Sequence, residues 1–357
     1  SKFTQCTFTY CEIPSEKGGG ISLFATTGSA TEESIDLDRC IFDKCNSSEG
    51  GSAFYIDATS LNATIKGCTF KNHFYGHSIF YLKYPNDQPA NFEGCIFENN
   101  YYRSTATKLE FGGCGIQLAF DYNSILFTNC QFLRNAADYV GGGIAYKSDK
   151  PITFDGCIFT SNKCNGTQAG ALYLESNANI IIRNTQFNDN QCKQQTSSKG
   201  MNVYIKGGTT NTVEISNCAF GNLKSIDLEG SALYVENGAS LKITSTSFRN
   251  CGTGSSGSVI YSTCSVLSMS GIGTSSLRSE ISFTTANNPQ GISLPNPMKE
   301  VNISNTKFAN CYAFSAQSEK ALLSNCQFDN CIAHTTGSGV FQLTGLTTFS
   351  SSSISFS

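Results

Sequence analysis

Apolar and polar residues alternate along this chain in short runs, and the runs return about every 27 or 28 residues. Each run is marked by a Cys-x-Phe pair, as at Cys68 and Phe70, Cys95 and Phe97, Cys130 and Phe132, or Cys157 and Phe159. Degenerate copies put Thr in place of the Cys at 185, 246 and 306. Three residues before the Cys position stand Phe3, Leu37, Ile65, Phe92, Phe127, Phe154, Ile182, Ile215, Ile243, Ile303 and Leu323. Five residues before it stand Ile35, Ile125, Ile152, Ile180, Val213, Leu241 and Val301. Their neighbours are often polar, for example Lys66, Glu93, Asp155 and Arg183. Such alternation is the pattern of a half-buried strand. A Gly or Asn often precedes the Cys, and both residues tolerate positive φ, so the chain bends there. The Cys and Phe, two apart, then share the inward face of a second strand.

A third apolar run follows about ten residues after the Phe and reads Gly-x-x-x-Tyr, as from Gly51 to Tyr55, Gly200 to Tyr204, Gly230 to Tyr234 and Gly257 to Tyr261. Residues flanking the Tyr are apolar (Phe54 and Ile56, Leu172 and Leu174, Val203 and Ile205), which predicts them in the core and the Tyr outward. Three short strands and three turns fill one period. A fixed period of this length is the mark of a solenoid whose units bury their apolar faces only against neighbours. The prediction is a single all-β domain over 1–357, a parallel β-helix of about a dozen three-strand coils. Ile180, Ile182 and Phe187 are expected in its core. Insertions are expected near 98–113, 191–200 and 12–33. The stretch 264–300, with Pro289, Pro295 and Pro297, predicts an irregular coil with a loop.

Composition narrows the function classes. Charged residues make up 14% and the net charge is −3, so no basic stripe exists for a nucleic acid to follow. No apolar run approaches the ~20 residues of a membrane helix. The chain opens at Ser1 with no signal-peptide pattern, which is read as a processed product or an excised piece. Sequons at Asn46, Asn62, Asn165 and Asn302 fit a secreted protein.

The strand at Gly141-Gly142-Gly143-Ile144-Ala145, alternating with Phe-x-x-Asn at Phe132 to Asn135, Phe159 to Asn162 and Phe187 to Asn190, resembles the chlamydial polymorphic membrane protein repeat. Two tetrapeptides, Gly-Gly-Ala-Ile and Phe-x-x-Asn, define that repeat. The resemblance implies a right-handed parallel β-helix with a surface or adhesive role. Cys-x-Phe is an addition here, and a full Gly-Gly-Ala-Ile is absent.

Fifteen of the 17 cysteines fall into two groups, and Cys114 and Cys264 stand apart. Those of the first group, two residues before the Phe (Cys6, Cys40, Cys68, Cys95, Cys130, Cys157, Cys218 and Cys326), interchange with Thr and predict a ladder of free buried thiols. Those of the second group lie in the turn after the Phe. Matching offsets there predict, in a secreted chain, disulfides Cys11–Cys45, Cys164–Cys192 and Cys311–Cys331. A metal stack is the weaker alternative, with no C-x-x-C and three His, and no cofactor is expected.

Catalysis on a polysaccharide needs clustered carboxylates. Glu32, Glu33, Asp36 and Asp38 lie close in sequence, and Asp155 comes near Arg183 if their coils stack. The pectin-hydrolase landmarks are absent, and Gly76-His77-Ser78 is the nearest approach to one. The aromatic run His73 to Tyr84 reads either as a binding patch or as a core strand. A row of Tyr55, Tyr81, Tyr146, Tyr173, Tyr204, Tyr234 and Tyr261 is the expected binding surface, suited to a glycan or a surface protein. The expected function is a non-enzymatic, extracellular or cell-surface structural or adhesive module. It is expected to associate end to end as a fibre or to continue into flanking repeats, with neither nucleic acid nor a membrane span involved. The alternative is a carbohydrate-active β-helix enzyme, a polysaccharide lyase or glycoside hydrolase.

Overall fold

The computed structural model describes residues 2–13, 18–24, 33–47, 51–57, 61–74, 80–83, 89–102, 116–119, 124–193, 198–223, 229–251, 257–271, 279–282, 290–331 and 340–357. Every regular element among them is a β-strand. The chain packs as two compact units, Ser1–Tyr173 with Asn190–Lys193, and Leu174–Asp189 with Gln194–Ser357. Each is a stack of coils in which every strand pairs in parallel with the equivalent strand of the next coil.

One coil of the first unit runs through strands Ile125–Thr128, Gln131–Leu133 and Ile144–Lys147. One coil of the second runs through Thr212–Ser216, Ala219–Leu223 and Leu233–Glu236. Register is kept residue for residue. Phe8, Phe42, Phe70, Phe97, Phe132 and Phe159 stand in one column of the first unit. Ile182, Ile215, Ile243, Met269, Ile303 and Leu323 form a column of the second. Stacked phenyl rings lie 4.4 to 5.2 Å apart in the first column, the spacing of neighbouring strands. Phe127 and Phe154 set their rings edge-on to Phe132 and Phe159, the offset geometry aromatic pairs prefer. Ile180, Ile182 and Phe187 are fully buried, as their spacing predicts.

Two corners per coil are turned by a single residue at positive φ. The first is the residue before the Cys, for example Arg39, Gly94, Asn129 or Asn217. The second, two after the Phe, is Lys44, Asn99, Arg134, Asp189 or Asn310. A third bend enters the tyrosine strand at a glycine. At Gly200, with φ of 58°, an added Cβ would fall 2.4 Å from the carbonyl oxygen of Val203, so a larger side chain is strained there.

Each corner leaves peptide groups pointing along the stack, and one inward side chain satisfies them. At the second corner this is the Asn of Phe-x-x-Asn. Asn135 Nδ2 donates to the carbonyl of Phe97 in the preceding coil at 2.9 Å and to Oδ1 of Asn162 in the next at 3.1 Å, and its backbone N–H donates to the same Oδ1 at 3.0 Å. Asn100 and Asn162 repeat the pattern, and Asn190 receives its upper end. All four are buried. At the first corner the Cys thiol does this work: Cys95, Cys130 and Cys157 donate to carbonyls of Ile65, Phe92 and Phe127 in the preceding coil, each at 3.4 Å. Thr185 and Thr246 bond locally instead, to carbonyls two residues back.

The turn cysteines need correction on this point. Cys11, Cys45, Cys251, Cys311 and Cys331 do not sit in loosely held turns; they occupy the asparagine position of the second corner. Cys45, Cys251 and Cys331 donate to Phe8, Phe220 and Phe308 carbonyls at 3.4 to 3.5 Å, as the Asn side chains do. The expected partners are adjacent, with Cys164 next to Cys192 and Cys311 next to Cys331. All of them, and all other described cysteines, are nevertheless free thiols, so the three disulfides are not formed. In-register residues on parallel strands sit ~4.8 Å apart with parallel Cβ vectors, whereas a disulfide needs Cβ atoms about 3.8 Å apart and converging. Burial pushes the Cys45 and Cys164 thiols up to about 12. Residues 264–300 contain regular strands at Val266–Ser270 and Gln290–Ser304. Among the described residues of this stretch a register shift lies between Leu294 and Met298, where Pro295 and Pro297 are exposed, and residues 272–278 and 283–289, where the expected loop falls, lie outside the description. The cores of the three expected insertions and Pro289 lie outside the described residues.

His73 is the exception in the corner column. It takes the Asn position, its Nδ1 lies 2.7 Å from the Cys45 carbonyl oxygen, its Nε2 has no partner, and it is buried. Burial lowers its pKa from 6.5 to about 4. Asp43 is the nearby charge that opposes this shift.

Two predictions follow from the corner columns. Asn162→Ala leaves the backbone N–H of Asn135 and the Phe132 carbonyl without partners and should cost about 2–4 kcal/mol in denaturant melts, while Thr185→Cys should change stability by less than ~1 kcal/mol. His73 is neutral in the folded state and protonates first in the unfolded state. Stability present above pH 6.5 should therefore fall as pH drops toward 4, by roughly 3 kcal/mol. His73→Asn should remove that part of the acid sensitivity, which melts at pH 7 and pH 4.5 would compare.

Candidate functional site

The tyrosine row is where the structure departs furthest from expectation. Tyr55, Tyr146, Tyr173, Tyr204 and Tyr234 are buried, at 6% exposure or less, and only Tyr261 is half-exposed. The Tyr81 side chain lies outside the description. Phe54, Ile56, Val203, Ile205, Leu233 and Val235, on the opposite face of the same strands, are fully buried as predicted. The third strand is thus covered on both sides, so strict apolar flanks did not leave the tyrosine face to solvent. An outward, solvated Tyr ladder along the chain is not present among the described residues.

A shorter stack does exist in the second unit. Tyr204, Tyr234 and Tyr261 are in direct register. Their rings stack with nearly parallel planes, with centroids 5.2 Å apart between Tyr204 and Tyr234 and 4.3 Å between Tyr234 and Tyr261. Charged groups collect on this stack. The Tyr204 hydroxyl donates to a Glu236 carboxylate oxygen at 2.6 Å. Lys199 holds its ammonium 4.7 Å above the Tyr234 ring, a favourable cation–π arrangement. The backbones of Lys199 and Glu229 pair in register across adjacent coils. Burial, with the negative charges of Glu236 and Glu229, pushes the Tyr234 phenol up to about 12. Burial, Tyr234 and Glu229 also raise Tyr261, with Lys199 opposing. Two carboxylates, an ammonium and stacked phenols thus meet at one place, through third-strand positions and the residues that lead into them. Sequence reading had the tyrosines but missed Lys199, Glu229 and Glu236. The available signal was their recurrence next to the Gly-x-x-x-Tyr motif.

The model of the family described as the right-handed β-helix region matches residues 1–187 and 90–232. The chain belongs to that family. Its coils are therefore right-handed, as the stacked parallel strands and the repeat require of a member. No curated protein and no solved structure matches the chain.

Other candidate positions in this β-helix are dispersed. Asp36 and Asp38 are half-buried on the first-strand face, and the Arg39 guanidinium beside Asp38, 2.8 Å away, holds its carboxyl below the usual range. Glu32 and the Glu33 side chain lie outside the described residues. So do His77 and most of the side chains of the aromatic run ending at Tyr84, whose Phe80–Lys83 backbone is a paired strand. Of the sequons, Asn165 is exposed and donates to Asp138 at 3.2 Å, while Asn46 and Asn302 are half-buried within strands. The Asn62 side chain is outside the description. Among the described residues no helix is long and apolar enough to cross a membrane. The same residues hold no group of three or more His, Cys, Asp or Glu placed for a metal ion.

The stack has a direct spectroscopic consequence. Tyr146 and Tyr234 should ionise near pH 12, above an ordinary phenol near 10. Absorbance titration of Tyr234→Phe should lose a late-titrating phenol and leave the earlier phase unchanged.

Proposed function

We infer that this β-helix is a non-enzymatic, extracellular or cell-surface module with a structural and adhesive role. The observation that carries the reading is how its outward charges are used. Glu93, Glu214, Glu300 and Asp329 each face a lysine of an adjacent coil, Lys66, Lys242, Lys320 and Lys307, at 2.7 to 3.2 Å. Charges spent on coil-to-coil pairing do not form the open carboxylate groove that sugar-bond hydrolysis needs. What remains is a surface of hydroxyls, amides and paired charges, suited to a neutral glycan or a protein surface. The likeness to the chlamydial polymorphic membrane protein repeat supports a surface location, and the sequon at the exposed Asn165 supports a secreted one.

The cluster at Tyr234 favours a second reading, a carbohydrate-active enzyme with Glu229 and Glu236 as its acid and base. A glycan array and a reducing-end release assay on the same oligosaccharides separate the two. Binding without release is expected. Release of reducing ends that Glu229→Gln abolishes would replace the adhesive reading with the enzymatic one.

A further inference from the structure

Five consecutive coils of the second unit each place one side chain at the tyrosine position: Tyr204, Tyr234, Tyr261, Ser293 and Ser315. The first three stack their rings. The column then steps down from phenol to hydroxymethyl. One face of the Tyr261 ring lies against Tyr234, and the residue in register on its other side is Ser293, too short to cover a ring. Exposure follows the step: Tyr204 and Tyr234 are buried, whereas Tyr261, Ser293 and Ser315 are all half-exposed.

The step has a wall and a floor of different chemistry. Its wall is the aromatic face of Tyr261. Its floor is the pair of serine hydroxyls on adjacent strands, ~4.8 Å apart, which carries the step two strand spacings, about 10 Å, from Tyr261 to Ser315. Gln290 fixes the floor's far side, its Nε2 donating to Ser315 Oγ at 2.9 Å and to the Ile292 carbonyl at 3.0 Å. The negative charge of Glu229 is felt by both Tyr234 and Tyr261, and Lys199 is engaged over the Tyr234 ring.

We propose that the step between Tyr261 and Ser315 is a binding site for a pyranose ring of a neutral glycan. This rests on the adhesive reading above and names its ligand class. A pyranose presents a C–H face that packs on an aromatic ring, and a rim of hydroxyls that both donate and accept. Tyr261 meets the first requirement, and Ser293, Ser315 and the Gln290 amide meet the second. An aromatic side chain of a protein partner would fit the wall but would cover two hydroxyls without replacing their hydrogen bonds to water, which is unfavourable. A uronic acid would bring a carboxylate toward Glu229.

The test uses the whole chain, which has no Trp, so its intrinsic fluorescence reports tyrosine alone. The probes are oligomers of β-1,4-glucose, of β-1,4-N-acetylglucosamine and of galacturonic acid, with calorimetry as the second readout. Binding of at least one neutral oligomer is expected, with the galacturonate oligomer weaker by about tenfold or more. Ser293→Tyr fills the step by extending the stack with one more ring, without opening a cavity, and Tyr261→Ala removes the wall. Both should weaken neutral binding by about tenfold or more with unchanged circular dichroism. If either variant folds and binds like the parent chain, the site is elsewhere, although glycan adhesion stands. If the parent chain binds none of the oligomers, the proposal fails, and the glycan array then decides separately whether the adhesive reading survives. Preferential binding of galacturonate would also overturn it.

Discussion

A parallel β-helix must dispose of the peptide groups at its corners, and this chain does so with one buried side chain per corner. Strands pair with their neighbours above and below, so their backbone groups are satisfied by geometry. A corner turned at positive φ breaks the ladder and leaves N–H and C=O groups facing along the stack in a dry interior, where each unsatisfied group costs free energy. Asn135 resolves this with three hydrogen bonds reaching both neighbouring coils. Cysteine is the leaner solution, one weak S–H donor to the coil below. The phenylalanine columns fill the space between two such corners. They contribute the largest buried side chains of the coils, but the corner side chains fix the register in which those are buried.

This division explains what was legible in the sequence. The strand columns were, because apolar identity at Cys−5, Cys−3, Cys and Phe repeats with little variation and burial is what it encodes. Interchange of Cys with Thr at 185, 246 and 306 indicated a small inward side chain at the first corner, and Cys95, Cys130, Cys157, Thr185, Thr246 and Thr306 are buried there. The second corner was misread because Asn, His and Cys share little in hydropathy, although Phe-x-x-Asn was in view. Asn100 and Cys45 are equivalent through the phenylalanine carbonyl each one faces, while His73, at the same position, faces that of Cys45, and only coordinates show that. The tyrosine face was misread for a different reason. Period-two alternation assigns residues to two faces of a strand but does not say whether the second face is itself covered. Lys199 comes from one coil and Glu229 and Glu236 from the next; their place beside the Gly-x-x-x-Tyr motif was a linear hint, but only stacking brings them together.

Stacking also separates scaffold from function. Residues that point inward are held by copies of themselves, so each coil can change its outward residues with little consequence for the fold. Ion pairs such as Lys242 with Glu214 and Lys320 with Glu300 use that freedom for coil-to-coil pairing on an exposed face, where each contributes little. The tyrosine column uses it differently. Three coils keep the ring and two replace it with serine, so a change of side-chain size at constant register creates relief on an otherwise repetitive surface.

The bonds between coils in the corner columns join residues about one period apart, from 23 positions for Cys331 and Phe308 to 38 for Cys130 and Phe92. No bond in them ties distant parts of the polypeptide together. Under tension applied along the chain, one coil can therefore detach while its neighbours remain closed. Each detachment would release about 27 residues, or roughly 90 Å of contour. A tether built this way yields in steps and dissipates work at each one, and it can re-form coil by coil once the tension is removed.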